Sequence, residues 1–315
     1  MTFKVAVPAA LSQAGKDYLV NHDCELIETK DQSAAVLASE ASDADGIVLM
    51  TEPFPNTLKA QLPKLKVIAR HGVGYDNVDQ DFWAEQGIWV TITPNANAST
   101  VAETTLTAMM ALSKNLVANV DHLKRGHWNW AGQHKGFDLA DKVLGIMGYG
   151  RIGRMVAKKA SALDMKVIAY DPFAKSDEYA NLVDRDTLLK TADVITLHML
   201  VTPATTHSIG AREFTMMKSN ACLLNFGRAA LVDQKAMQKA LTEGEIAMAA
   251  VDVYDHEPLD KDDPWLKVPN VLLTPHIASN TEECMARMAV DSASEVVRVL
   301  HGEQPLWSVN QPNGK

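Results

Sequence analysis

The residues whose types and spacing most clearly carry chemistry are three glycines. The segment Gly148-Tyr149-Gly150-Arg151-Ile152-Gly153 follows the strand-like run KVLGIM and precedes an apolar-periodic helix expected from Arg154 to Leu163. In such an order Gly148 makes a tight turn and Gly150 lets backbone approach a pyrophosphate with no Cβ in the way. Gly153 lets helix and strand pack closely, and the helix N-terminus faces the negative charge. A glycine-rich turn by itself also occurs in nucleotide-free α/β domains, so its context decides. The next strand-like run, VIAY, ends at Asp171, 18 positions beyond Gly153. A carboxylate there accepts hydrogen bonds from an adenosine ribose and repels a 2′-phosphate. The pattern therefore predicts NAD rather than NADP, with Lys175 as a nearby cation that could tolerate the extra phosphate.

A dinucleotide needs a reactive partner, and three polar residues stand just past strand-like runs. Arg228 follows ACLLNF, Glu257 follows the run ending VDVY, and His276 follows VLLTP. In a parallel sheet the C-terminal ends of strands gather along one edge, where ligands of doubly wound folds bind. Residues 29 and 19 positions apart could thus converge. Singly, each has an ordinary explanation: a solvated loop arginine, a turn glutamate before proline, a surface or core histidine.

The elements that must position these residues are legible as rhythm. The first third alternates short β-branched runs at 4–7, 24–27, 46–50, 66–69 and 89–92 with helix-length spacers, as parallel β-α units do. PNANAST at 94–100 interrupts that rhythm, and Thr100 with Glu103 predicts a capping box opening a helix to about Arg125. The chain is expected to cross there between two domains. Beyond Asp141 six further strands are expected near 142–147, 166–170, 194–198, 221–226, 246–253 and 271–275, enough for a doubly wound domain. Residues from Thr281 to about Leu300 read as a final helix, whose periodicity does not say which domain it joins.

Composition excludes several classes. A chain of 315 residues, 47% hydrophobic, is long enough for two domains with buried cores. With 39 acidic residues against 30 Lys and Arg, the net charge of -9 would repel nucleic acid and anionic membrane. Cys24, Cys222 and Cys284 form no C-x-x-C pair, which argues against disulfides and a thiolate metal site and for a reducing cytoplasm. No metal is expected. No run reaches the roughly 18 apolar residues of a membrane span, and the start, MTFKVAVPAA, reads as a strand rather than a signal peptide.

An ordered series of segments resembles the D-isomer-specific 2-hydroxyacid dehydrogenase family over nearly the full length. The segments are HGVGYDNVD (71–79), NASTVAE (97–103), GYGRIG (148–153), LHMLVTPATTHSIG (197–210), NFGRAALVD (225–233), VDVYDHEP (251–258) and TPHIAS (274–279). The resemblance implies an α/β protein in which a Rossmann NAD-binding domain, residues 98–284, is inserted into a smaller flavodoxin-like substrate domain. That second domain would comprise residues 1–97 and a C-terminal return at 285–315. Interdomain crossings are expected near Pro94 to Asn97 and Ala278 to Thr281, with closure of the cleft excluding water.

The resemblance also implies roles. Arg228 would bind the substrate carboxylate and polarise the keto oxygen, His276 would be the general acid or base, and Glu257 would pair with it, favouring imidazolium. Gly72, Val73 and Gly74 would offer backbone donors to the substrate carboxylate. Arg151 and Ile152 would lie along the pyrophosphate, Met199, Phe226, Gly227 and Ala278 near the cofactor, and Asp252 near the nicotinamide carboxamide. Met199 reads equally well as packing. A homodimer is implied, with Trp128 and Trp130 in the dimerisation region; one could reach the partner's active site, though packing within the subunit is the simpler expectation.

For the substrate, phosphoglycerate dehydrogenases of the family carry an arginine after the third strand, where this chain has Met50 in LMT. An unphosphorylated acid such as glyoxylate, hydroxypyruvate or pyruvate is therefore expected. His71 could add a positive charge or serve structure. Phosphoglycerate dehydrogenase remains an alternative, as does an NAD(H)-sensing corepressor-like binding protein. Formate dehydrogenases, which place glutamine at the position of Glu257, are disfavoured.

Overall fold

The runs VAV, GIVL and VIA become strands buried on both faces, which is why they read as continuous apolar stretches without alternation. The computed structural model describes residues 2–312, so residues 313–315 of the expected C-terminal segment lie outside the described part. The chain divides into two compact units. One comprises the described residues up to Asn97 with those from Ser279 onward, and the other Ala98–Ala278. The second boundary thus falls earlier than the expected 284, because the segment from Ser279 already belongs with α11 (Glu282–Leu300).

In the first unit, β1 (Phe3–Pro8), β2 (Cys24–Thr29), β3 (Gly46–Leu49), β4 (Val67–Arg70) and β5 (Trp89–Thr91) form a parallel sheet ordered β2-β1-β3-β4-β5. That is the flavodoxin-like order. Helices α1 (Gln13–Asn21), α2 (Ala34–Glu40) and α3 (Gln80–Glu85) connect the strands. The final helix α11 packs here: Val296, Val297 and Leu300 join the core of Val5, Val7 and Val67. Its contact with α1 is so close that a Cβ on Gly15 would lie 2.7 Å from Ala289 Cβ.

The second unit opens with α4 (Ala98–Ser113), α5 (Leu116–Lys124) and α6 (Trp130–Gln133). The single helix expected to Arg125 is broken, because Asn115 adopts a left-handed φ of 49° and the Ser113 carbonyl accepts the returning Phe137 N–H at 2.7 Å. The expected capping box is also corrected: the helix has already begun at Ala98, and it is the Ser99 hydroxyl that meets Glu103, at 3.1 Å.

Strands β6 (Val143–Met147), β7 (Lys166–Tyr170), β8 (Asn181–Leu182), β9 (Val194–Leu197), β10 (Cys222–Asn225), β11 (Met248–Val251) and β12 (Val271–Leu273) form a parallel sheet ordered β12-β11-β10-β9-β6-β7-β8. Between them run α7 (Arg151–Ser161), α8 (Arg185–Thr191), α9 (Ala211–Met216) and α10 (Gln234–Glu243). This is the Rossmann order with a seventh strand, and its topological switch lies between β6 and β9. The sequence showed six of these strands; β8, two residues on the β7 edge, was too short to register. Helix α7 begins at Arg151, inside the glycine motif, rather than at Arg154.

Candidate active site

The glycine turn sits at the end of β6, beside the switch point. Gly148 has φ +92°, and a Cβ there would lie 2.5 Å from the His198 carbonyl, so neither its conformation nor its neighbours admit a side chain. Gly150 is exposed and open, with nothing within 4 Å of a built Cβ. A Cβ on Gly153 would meet the Gly148 oxygen at 2.2 Å, which is the close helix–strand packing the motif requires. No side chain caps α7, leaving its N-terminus suited to an anion. These features fit a bound dinucleotide. Arg151 is exposed beside the turn, Ile152 packs partly on the core, and Asp171 accepts the Tyr149 and Phe173 N–H groups, each at 2.8 Å. A carboxylate has about four acceptor positions, so room remains for a ribose.

At the ends of β10, β11 and β12 the structure brings the three polar residues to one edge. His276 Nδ1 lies 2.7 Å from Glu257 Oε2, and Glu257 Oε1 accepts the Tyr254 N–H at 2.9 Å. Burial pushes the Glu257 pKa up, but the hydrogen bonds from His276 and Tyr254, with the charges of His276 and Arg228, outweigh it and hold the carboxyl below its ordinary range. Glu257 is thus a carboxylate at neutral pH, able to orient the ring and stabilise its protonated form. With Nδ1 committed, Nε2 is the ring atom left to exchange a proton with a substrate.

Residues that sequence reasoning did not assign build this geometry. Asn225, buried at the end of β10, donates to the Arg228 carbonyl at 2.9 Å and accepts the Gly227 N–H at 3.1 Å, fixing the turn that carries Arg228. A polar residue closing an otherwise apolar strand was its signal. The Tyr254 hydroxyl lies 3.0 Å from the Val251 carbonyl and 2.9 Å from that of Thr274, linking the loops after β11 and β12. Gln234 donates to the Val253 carbonyl and accepts the Trp265 indole N–H, holding the loop before Glu257. Only cross-strand proximity reveals the last two.

Asp252 was expected beside the nicotinamide. Its fully buried carboxylate accepts the Thr274 hydroxyl at 2.6 Å, the Ile277 N–H at 2.7 Å and the Ala278 N–H at 2.8 Å. It therefore clamps both sides of His276, which has a left-handed φ of 52°. Ala278, also expected at the cofactor, is buried, with its N–H given to Asp252 and its carbonyl accepting Thr104 Oγ1. It anchors the histidine loop. Phe226 lies in the core, Gly227 packs against the Leu197 carbonyl, and Met199 packs partly on the apolar cluster around β9 and β10.

The 72–74 segment belongs to the first unit, just past β4. Gly72 has φ +148° and its carbonyl accepts the Thr93 N–H, while Gly74 is tied by its carbonyl to the buried Arg70. His71 does not supply the positive charge it could have offered. Burial drives its pKa down to about 4, leaving the ring neutral. Among the described residues, no three His, Cys, Asp or Glu gather as metal ligands, and no helix is long and apolar enough to cross a membrane. Trp130 stacks between His122 and His134, whereas Trp128 is 78% exposed.

A parallel sheet in Rossmann order, an anion-receptive glycine turn and an acid–base pair at strand ends define a dinucleotide-dependent oxidoreductase. Residues 106–278 match the family described as "D-isomer specific 2-hydroxyacid dehydrogenase, NAD binding domain". A glyoxylate reductase from Korarchaeum cryptofilum is 36% identical, covering 98% of this chain and 96% of that protein. A D-3-phosphoglycerate dehydrogenase from Methanocaldococcus jannaschii is 40% identical over 88% of the chain, which spans only 54% of that longer relative. Among solved structures, an NADPH-dependent glyoxylate/hydroxypyruvate reductase from Sinorhizobium meliloti, in complex with NADP and malonate, superposes with a TM-score of 0.88. It is 25% identical, and the match covers 98% of this chain and 97% of that one. The chain belongs to the D-isomer specific 2-hydroxyacid dehydrogenase family, and the cofactor of its nucleotide domain is NAD.

Proposed function

We propose that the protein reduces small, unphosphorylated 2-keto acids of the glyoxylate, hydroxypyruvate and pyruvate class to D-2-hydroxy acids, and catalyses the reverse oxidation. The observation that carries this reading is the 2.7 Å His276–Glu257 pair, with Arg228 close enough for its charge to act on Glu257. Arg228 binds the planar carboxylate of the acid and stabilises negative charge developing on the carbonyl oxygen. His276 gives its Nε2 proton to that oxygen as C2 is reduced, and Glu257 holds the ring in register while its charge favours the imidazolium. In the oxidative direction neutral His276 takes the hydroxyl proton. When bound, NADH supplies the hydride for C2, and Gly148, Gly150, Gly153 and Asp171 would hold it. Gly72, Val73 and Gly74 are proposed as backbone ligands of the substrate carboxylate.

The unphosphorylated class is favoured by two residues. Met50 is uncharged, with its N–H donating to Gln32 Oε1. The nearby cation, Arg70, is 4% exposed and donates to the Leu49 and Gly74 carbonyls. A phosphorylated acid is the second reading, favoured by the identity to the M. jannaschii enzyme. Following NADH oxidation against glyoxylate, hydroxypyruvate, pyruvate, branched 2-keto acids and 3-phosphohydroxypyruvate tests the choice. Preference for the phosphorylated acid would reverse it.

We place the protein in the cytoplasm, in keeping with three free, buried cysteines. The proposed assembly is a homodimer through α5, none of whose residues is buried and which exposes Leu116, Val117, Val120 and Leu123. Light scattering that finds only monomer would contradict it.

A further inference from the structure

The family's nucleotide domain is described for NAD, yet a solved relative of the same fold uses NADPH. The fold therefore leaves the choice to side chains near the adenosine ribose. Resting on the proposed cofactor site, the structure shows one arrangement there that the mechanism does not use. Tyr149, in the glycine turn, spans two carboxylates: its N–H donates to Asp171 Oδ2 at 2.8 Å and its hydroxyl to Asp177 Oδ1 at 2.6 Å. The same Asp177 oxygen accepts the Tyr179 N–H at 2.9 Å and the Ala180 N–H at 3.3 Å. Its other oxygen accepts Arg154 Nη1, whose guanidinium lies over the Tyr149 ring, 4.5 Å from the centroid.

A 2′-phosphate beside Asp171 would need a cation to offset both its own charge and that carboxylate. Arg154 stands one tyrosine away from Asp171, at the first turn of α7, and it is a fork suited to phosphate. Asp177 already engages that fork, and Tyr149 stacks against it. We propose that Asp177 is a cofactor-specificity residue: by locking Arg154 on Tyr149 it withholds the guanidinium from the 2′-position and leaves Asp171 unopposed, so that NADP is excluded. Lys175, exposed in the same loop, remains as a single flexible charge, a weaker phosphate partner than a bidentate arginine.

The substitution Asp177→Asn isolates the lock. The asparagine oxygen can keep the Tyr149, Tyr179 and Ala180 hydrogen bonds, while its amide group is a donor and cannot accept from Arg154. Calorimetric titration of wild type and D177N with NAD⁺ and with NADP⁺ reads the effect without turnover. The ratio of NADP⁺ to NAD⁺ affinity should rise by about tenfold or more, the worth of one charge-assisted phosphate contact. Adding Arg154→Gln should cancel the gain. Arg154→Gln alone, which does not depend on D177N folding well, should not weaken NADP⁺ binding, because the guanidinium is already withheld. An unchanged ratio in D177N, a gain that survives in the double variant, or weaker NADP⁺ binding in R154Q would each overturn the proposal. Wild type that binds NAD⁺ with any of those results leaves the cofactor site standing; wild type that fails to bind NAD⁺ removes the site and this inference together.

Discussion

Asp252→Asn removes one acceptor from a carboxylate that holds three donors. In the wild type Oδ1 receives the Thr274 hydroxyl and the Ile277 N–H, and Oδ2 receives the Ala278 N–H. An asparagine oriented to keep the first two presents its NH₂ to the Ala278 N–H, two donors face to face in a fully buried site. Losing that bond and leaving a buried amide unsatisfied costs about 1–3 kcal/mol. His276 lies between the clamped residues with φ at 52°, a conformation costing a β-carbon residue about 1–2 kcal/mol. The clamp is thus of the same size as the strain it opposes, and its loss should let the loop relax and move the imidazole. A displacement of about 1 Å at a reacting group is worth about a hundredfold in rate. We expect kcat for the preferred keto acid to fall about a hundredfold, and urea unfolding to report a loss of about 2 kcal/mol. Turnover within threefold of wild type with an unchanged unfolding midpoint would refute the clamp.

Arg228→Lys keeps the charge but not the fork, and kcat/KM for the keto acid should fall by about a hundredfold, measured as steady-state NADH oxidation. Gly148→Ala, placing a Cβ 2.5 Å from the His198 carbonyl at φ +92°, should destabilise the protein by more than about 2 kcal/mol in chemical unfolding. His71 is buried neutral with its pKa near 4 against an ordinary 6.5, so the unfolded chain gains a proton below pH 6.5 that the native state refuses until about pH 4. Its contribution is complete above 6.5 and is lost as pH falls through that window, by about 3 kcal/mol. Unfolding curves across the window should be flatter for His71→Gln, and an unchanged slope would count against a buried neutral imidazole.

Local patterns announced themselves where one segment was enough. GYGRIG could be read because its glycines answer to turn, approach and packing within a few residues, and the strands could be read because parallel strands buried on both faces are continuous apolar runs. Other features depend on partners far away in sequence. Asp252 was placed near the nicotinamide by resemblance alone, and nothing beside it in sequence showed that residues 274, 277 and 278 would surround it. Asp177 carried no signal at all, since its meaning comes from Tyr149 and Arg154 across the sheet end. The break at Asn115 was hidden because a left-handed residue inside an apolar-periodic stretch is stabilised by the chain returning at 137. The charge state of His71 follows from burial, which sequence does not disclose.

The most direct measurement is turnover of the preferred 2-keto acid by His276→Ala, set beside NADH binding to the same variant by nicotinamide fluorescence. General acid catalysis by His276 predicts a loss of about a hundredfold to ten-thousandfold in kcat with NADH affinity retained. Wild-type turnover in that variant would contradict the assignment of His276 as the proton donor.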